Sequence, residues 1–154
     1  MIASAATRIE DLTLNISEEI HVNAPLQVTF DALLEQLGPL MTSGEEKSPM
    51  PMKIEAWPGG RWFRDLGGNN GHCWGHVQAI KNPTLLEIYG PLMMSYPVVS
   101  NVQYRLSEEA GGTLIKFHHT ALGAVPDSHR QGFPKGWSQI HARARQRAEA
   151  ASSR

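Results

Sequence analysis

Cysteine, net charge and long apolar runs are all scarce in this chain of 154 residues. The single cysteine, Cys73, excludes a disulfide within the chain and is typical of a reducing compartment. The formal net charge of -1 gives no overall attraction to nucleic acid or to an acidic lipid surface. No segment approaches the roughly 20 apolar residues that span a bilayer, and residues 1–8 lack the apolar core of a signal peptide. We therefore expect a cytoplasmic protein with neither a nucleic-acid partner nor a membrane partner.

Motifs of enzymes and of cofactor sites are missing as well. The sequence contains no nucleophile elbow, phosphate loop, dinucleotide fingerprint or zinc motif. His72 and His76 are four residues apart, but on a strand this spacing separates them by roughly 13 Å, too far for neighbours to share one ion. Cys73 is predicted to point to the opposite face of that strand. We expect no metal ion and no cofactor, and no residue is assigned as catalytic.

Helical periodicity occurs at two places in the chain. The first helix is predicted over 25–37, where Pro25 suits the first turn and Gly38-Pro39 ends the helix. The second helix follows a polar linker and is predicted to open at Gly136-Trp137. Its apolar stripe consists of Trp137, Ile140, Ala144 and Ala148.

Strand patterns fill most of the remaining sequence. The clearest alternation places Thr113, Ile115, Phe117 and His119 on one face of the last strand. The polar segment 40–51 is expected to form a short helix or turn and then a loop. Strands are predicted over 14–22, 52–57, 61–66, 72–81, 84–89, 97–107 and 112–122.

This order predicts an α+β fold, in which a curved antiparallel sheet wraps around a long C-terminal helix and one or two short helices follow the first strand. The length suits a single domain, predicted over 14–150, with tails at 1–13 and 151–154. A sheet with one apolar face must cover it, and the last helix is the available cover. A cavity between the sheet and that helix is the default place for a ligand.

Several short motifs occur in an order that matches a known group of proteins. With them, the chain resembles the SRPBCC (START-like) superfamily, which has the helix-grip fold, and within it the branch named for activators of the heat-shock protein 90 ATPase. That superfamily includes lipid carriers, hormone and secondary-metabolite binders, polyketide cyclases and co-chaperone domains, so the resemblance implies the fold more than one function. The matching motifs are Asn23-Ala24-Pro25, Phe30-Asp31-Ala32-Leu33, Pro58-Gly59-Gly60-Arg61-Trp62, Gly75-His76-Val77, Asn82-Pro83-Thr84-Leu85-Leu86, Gly112-Thr113 with His119, and Gly136-Trp137.

The residues that face both the last helix and the sheet interior are the candidate ligand-binding site. They are mostly apolar with a few polar groups, which is typical of pockets for small apolar ligands. The favoured function is therefore binding of a small hydrophobic molecule without catalysis. The predicted site residues are Val98, Ser100, Val102, Tyr104, Ile115, Phe117, His119, Trp137, Ile140 and His141.

Two histidines of this set have alternative interpretations. His119 is either a general base or ligand anchor, or a core histidine whose ring nitrogens are satisfied by neighbours. His141 either supplies polar groups to the pocket or lies at the solvent edge of the helix stripe, which is the favoured interpretation. Arg64 could anchor a carboxylate, but the sequence does not show which of Trp62, Phe63 and Arg64 faces the core.

Two other functions remain open. One is a cyclase-, aromatase- or hydrolase-like enzyme that uses His119 or His141 with Tyr104 as acid–base groups. The other is a protein-interaction module like the chaperone ATPase activators, which would use the basic residues of the last helix or the apolar loop 89–97. That loop could equally be a pocket lid, a homodimer surface or part of the core.

Overall fold

The computed structural model describes residues 8–43 and 48–153. A seven-stranded antiparallel sheet, ordered β1-β9-β8-β7-β6-β5-β4, curves around one long helix, α2. The predicted tails and the predicted loop over 40–51 lie partly outside the described residues. The elements are a 3-10 helix (Ile9–Leu12), β1 (Thr13–Val22), α1 (Leu26–Leu37), β2 (Thr42–Ser43), β3 (Ser48–Pro49), β4 (Lys53–Ile54), β5 (Arg61–Gly67), β6 (Asn70–Lys81), β7 (Leu85–Gly90), β8 (Val98–Glu109), β9 (Gly112–Gly123) and α2 (Asp127–Ser152).

The alternation of β8 and β9 confirms which of their faces is buried. On β8, Ser100, Val102, Tyr104 and Leu106 are buried. They lie in register with β9, where Val102 is opposite His119 and Tyr104 is opposite Phe117. Because successive side chains of a strand point to opposite faces, this register brings the two predicted sets onto one inner surface.

Helix α2 covers that inner surface with the predicted stripe. Trp137, Ile140, Ala144 and Ala148 are all buried. Helix α1 packs beside α2 and buries Phe30, Leu33 and Leu37 completely. The predicted α+β architecture, a curved sheet around a long C-terminal helix with a short helix after the first strand, is therefore confirmed.

The start of α2 was predicted wrongly. The helix begins at Asp127, nine residues before Gly136, with Pro126 at the N-cap. Gly132, Pro134 and Gly136 disfavour a helix, and they suggested a linker. The helix nevertheless extends through them because Phe133 is buried one turn before Trp137, and tertiary packing outweighs local propensity.

Three smaller differences concern short elements. Residues 9–12 form a 3-10 helix where a frayed tail was expected. The strand predicted over 52–57 is only the two-residue β4. In the segment 40–51, Thr42–Ser43 pairs with Ser48–Pro49, so the described ends of this predicted loop form a small antiparallel pair.

The facing of the β5 residues is resolved by the structure. Trp62 is fully buried, and its Nε1–H donates to the Leu37 carbonyl at 2.7 Å. The Arg61 guanidinium lies 4.3 Å above the Phe63 ring. Arg64 lines a hollow beside the β5–β6 turn rather than the interface with α2.

Candidate functional site

A pocket of about 370 Å³ lies along the first half of α2. We call it the α2 pocket. Its other walls come from the segment around β2 and β3, from Trp74 on β6 and from the loop between β7 and β8. Its lining residues are Met41, Thr42, Met50, Trp74, Met93, Ser128, His129, Gly132, Phe133, Gly136, Trp137, Gln139, Ile140 and Arg143.

The chemistry of this lining is mainly apolar and aromatic. Trp74, Phe133 and Trp137 are buried side chains that supply flat aromatic surface. The polar groups are few, and no Asp or Glu occurs among the described lining residues. Such a surface suits a molecule that is largely apolar.

Two glycines of α2 leave open space along this lining. A Cβ added at Gly132 or at Gly136 would meet no atom within 4 Å. The two positions are four residues apart, so they lie on one face of the helix. The pocket is therefore wider at these two positions than it would be with any other residue.

The loop between β7 and β8 forms one wall of the α2 pocket. Leu92 and Met94 are buried in the core, whereas Met93 lines the pocket and is 43% exposed. The Tyr96 hydroxyl is hydrogen-bonded to Nδ1 of His129, and the two rings stack at 5.5 Å. The loop thus contributes to the core and to the pocket, and Tyr96 attaches it to the first turns of α2.

The ten predicted site residues lie together, but only two of them line the α2 pocket. Trp137 and Ile140 belong to its lining. The other eight pack behind them, between the sheet and α2, and only Val98 among them is half-buried rather than buried.

The sequence-based site did not include most of the residues that line the α2 pocket. Phe133, four residues before Trp137, was the signal that could have extended the helix stripe toward it.

His119 is held between α2 and β8. Trp137 Nε1–H donates to His119 Nδ1 at 3.0 Å, and His119 Nε2 lies 2.9 Å from Ser100 Oγ. Because an indole nitrogen can only donate, Nδ1 is the acceptor, and Nε2 carries the proton that is donated to Ser100. Burial, with a smaller contribution from His118, lowers the pKa of His119 to about 4. His119 is therefore neutral at pH 7, and both ring nitrogens are occupied by protein groups.

A second buried contact joins β1, α2 and β8. The Tyr104 hydroxyl lies 2.9 Å from His141 Nε2, and His141 Nδ1 lies 3.5 Å from Glu18 Oε2. The nearby His141 imidazole, and to a smaller extent the Ser138 hydroxyl, lower the pKa of Glu18. Burial raises the pKa of Tyr104. A carboxylate beside Nδ1 favours a proton there, so Tyr104 donates to Nε2.

The favoured interpretation of His141 as a residue at the solvent edge was wrong. His141 is 1% exposed, because its ring stacks on Trp137 and packs edge-on against Tyr104. Of the acid–base groups of the enzyme alternative, Tyr104 and His141 lie within hydrogen-bond reach of each other, whereas His119 contacts Ser100 and Trp137. However, neither Tyr104 nor His141 lines the α2 pocket.

A second hollow of about 640 Å³ lies beside the β5–β6 turn and is lined by charged residues. Lys53 pairs with Asp65 at 2.8 Å, and Arg61 pairs with Glu55 at 2.7 Å. The charges within each of these two pairs neutralise one another, and Arg64 leaves the lining of the hollow with a small formal positive charge.

Two wider features of the described residues bear on function. No group of three His, Cys, Asp or Glu side chains among residues 8–43 and 48–153 could hold a metal ion. No helix in the same part of the chain is long and apolar enough to cross a lipid bilayer.

Comparison with known proteins finds relatives by structure only. No family model matches the sequence, and no curated protein matches it. An uncharacterised protein from Rhizobium leguminosarum is 16% identical, with a TM-score of 0.68 over 90% of this chain and 95% of that one. CalU16 from Micromonospora echinospora is 22% identical, with a TM-score of 0.57 over 88% and 84%. The protein Ara h 8.0201 is 17% identical, with a TM-score of 0.63 over 90% and 99%.

These identities are low, so the likeness establishes architecture rather than activity. It extends over most of each chain, and it agrees with the sheet order and the long final helix described above. The chain therefore has the START-like helix-grip fold that its motifs predicted.

Proposed function

We propose that this protein binds a small, predominantly apolar molecule in the α2 pocket. The observation that carries the proposal is the pocket itself, with a volume of about 370 Å³ and a lining dominated by aromatic and methionine side chains. Pockets for small molecules have volumes of about 300–1,000 Å³ and combine apolar walls with a few polar groups. Burial of a ligand on this surface would be driven mainly by the removal of apolar area from water.

The glycines of α2 support this function. In a helix interior, glycine is about 1 kcal/mol less favourable than alanine. Alanine would fit sterically at both Gly132 and Gly136, since nothing lies within 4 Å of the added Cβ. Glycine at these two positions on one face of α2 lowers the stability of the helix and leaves open space beside it. A ligand site requires such space.

The test is titration with a neutral apolar fluorophore, N-phenyl-1-naphthylamine, whose emission rises in apolar surroundings. We expect saturable binding to the wild-type protein and strongly weakened binding to Gly136→Leu, because the leucine side chain fills the pocket. The matched control is Ala142→Leu, which adds the same side chain to an exposed position of the same helix. Circular dichroism of each variant reports whether α2 is intact. Equal binding by Gly136→Leu and the wild-type protein would refute the proposal.

The contact among Glu18, His141 and Tyr104 favours a second candidate, a polyketide cyclase-, aromatase- or hydrolase-like enzyme. A carboxylate, an imidazole and a hydroxyl in sequence can move a proton. This candidate requires a path from the α2 pocket to the Tyr104 hydroxyl. Tyr104→Phe removes that hydroxyl, so it should abolish turnover of any substrate while leaving fluorophore binding unchanged.

A chaperone-activator role and homodimer formation stay predictions.

A further inference from the structure

Among the described residues, Arg143 is the one arginine that lines the α2 pocket. It is half-buried, and its Nη1 donates to Thr42 Oγ1. A guanidinium has five N–H donors in a fixed fork. The described residues give Arg143 no further hydrogen-bond partner and no ion pair. Four donors of this side chain are therefore available to another molecule.

The charge of Arg143 also lacks a counter-charge among the lining residues that the structure describes. Arg61 and Arg145, by contrast, lie beside Glu55 and Glu149 at 2.7 Å and 3.4 Å. The lining of the α2 pocket among the described residues contains no carboxylate. A partly buried cation beside an apolar surface is stabilised by an anion that forms hydrogen bonds with it.

A second polar side chain lies next to Arg143 on the same helix. Gln139 lines the pocket and is half-buried, four residues before Arg143, so the two side chains are neighbours on one face of α2. The Gln139 amide offers two N–H donors. The other basic group of the lining, His129, is already hydrogen-bonded to Tyr96 through Nδ1.

We propose that the natural ligand is an amphipathic monocarboxylate. Its apolar body lies against Trp74, Phe133 and Trp137, and its carboxylate accepts two parallel hydrogen bonds from Arg143 and a third from Gln139. One uncompensated arginine matches one negative charge, which favours a carboxylate over a phosphate dianion. This inference rests on the proposed function, because it assigns a head group to the ligand of the same pocket.

The experiment compares two probes that share an apolar chain and differ in the head group, decanoate and 1-decanol, by calorimetry at pH 7.5. The variant is Arg143→Met, and the matched control is Arg145→Met, which removes the same charge from a solvent-exposed position of α2. We expect Arg143→Met to weaken decanoate binding about tenfold or more, as for loss of a charged hydrogen bond. Its affinity for 1-decanol should change by less than about twofold, and Arg145→Met should alter neither affinity.

The outcomes separate this inference from the proposed function. Suppose that the wild-type protein binds both probes. If Arg143→Met then weakens the binding of decanoate and of 1-decanol equally, or weakens the binding of neither probe, the carboxylate subsite is refuted and the apolar pocket stands. If the wild-type protein binds neither probe, both the subsite and the proposed function are refuted. Retained 1-decanol binding in Arg143→Met shows that the variant is folded.

Discussion

Two histidines in the core of this protein are hydrogen-bonded to side chains of other elements. His119 on β9 contacts Trp137 on α2 and Ser100 on β8. Tyr104 on β8 contacts His141 on α2. An unpaired buried polar group costs about 1–3 kcal/mol, so each pair fixes how α2 lies on the sheet. These hydrogen bonds give α2 a defined position that apolar packing alone would not specify.

The depressed pKa of His119 predicts a pH-dependent stability. The unfolded chain takes up a proton at His119 near pH 6.5, whereas the folded protein does so only near pH 4. Between these values the unfolded state binds more protons, so the free energy of unfolding falls as the pH falls. The contribution of His119 is complete above pH 6.5, and about 2 kcal/mol of it should be lost between pH 7.5 and pH 5.

Urea unfolding at a series of pH values measures this loss. The variant His119→Gln has no titrating group at that position, so its stability should fall by about 2 kcal/mol less than that of the wild-type protein over the same interval. His21→Gln is the control, because the His21 side chain is 70% exposed. If the free energy of unfolding fell by the same amount with pH in His119→Gln and in the wild-type protein, His119 would not be the group responsible for the loss of stability.

The first residues of α2 have a low intrinsic propensity to form a helix. Gly132, Pro134 and Gly136 occur within its first ten residues. Its N-terminus is favoured by Asp127 in the first turn, whose charge complements the helix dipole. Phe133 then anchors this part of the helix against His119 of β9. The pocket therefore lies beside the stretch of α2 that depends most on tertiary contacts.

The two glycine environments predict opposite effects of alanine. Gly136→Ala should raise the free energy of unfolding by about 0.5–1 kcal/mol, because it stabilises the helix and meets open space. Gly112→Ala on β9 should lower it by about 1–3 kcal/mol. The reason is that its Cβ would lie 2.4 Å from the Val22 carbonyl oxygen. Thermal and urea unfolding compare the two variants, and stabilisation by both would show that the crowding at Gly112 relaxes freely.

At the scale of the whole molecule, α2 is hydrogen-bonded to residues at both ends of β1. Arg130 donates to the backbone carbonyls of Thr13 and Asp11, which lie 117 and 119 residues earlier. Near the other end of the helix, Glu149 accepts from the Asn23 backbone N–H at 2.9 Å. Arg130 thus joins α2 to the start of β1.

Loss of this connection should loosen the first residues of the sheet. Arg130→Met removes charged hydrogen bonds to carbonyls, so we expect a loss of about 1–3 kcal/mol of stability and faster hydrogen exchange over residues 9–15. Arg145→Met is the control, because within the described part of the chain Arg145 forms only an exposed pair with Glu149. Unchanged exchange over residues 9–15 in Arg130→Met would mean that β1 is held by its pairing with β9 alone.

The sequence by itself determined the sheet, its buried face and the general fold. Alternation with period two is a local property, so the order of residues alone assigns Val102 and Tyr104 to one face of β8, and Phe117 and His119 to one face of β9. The stripe from Trp137 to Ala148 is equally local, because a helix repeats every 3.6 residues. Ordered motifs along the chain predicted the helix-grip fold, and the structural likeness agrees with them.

Only the tertiary structure decided where the pocket lies. Its walls combine Met41, Trp74, Met93 and Phe133, which are far apart in sequence and share no periodic pattern. The burial of His141 and the available donors of Arg143 depend on which side chains come near them across elements. Local periodicity states which face of an element is apolar. It does not state where two packed faces leave a gap, since that depends on side-chain volumes brought together by the whole fold.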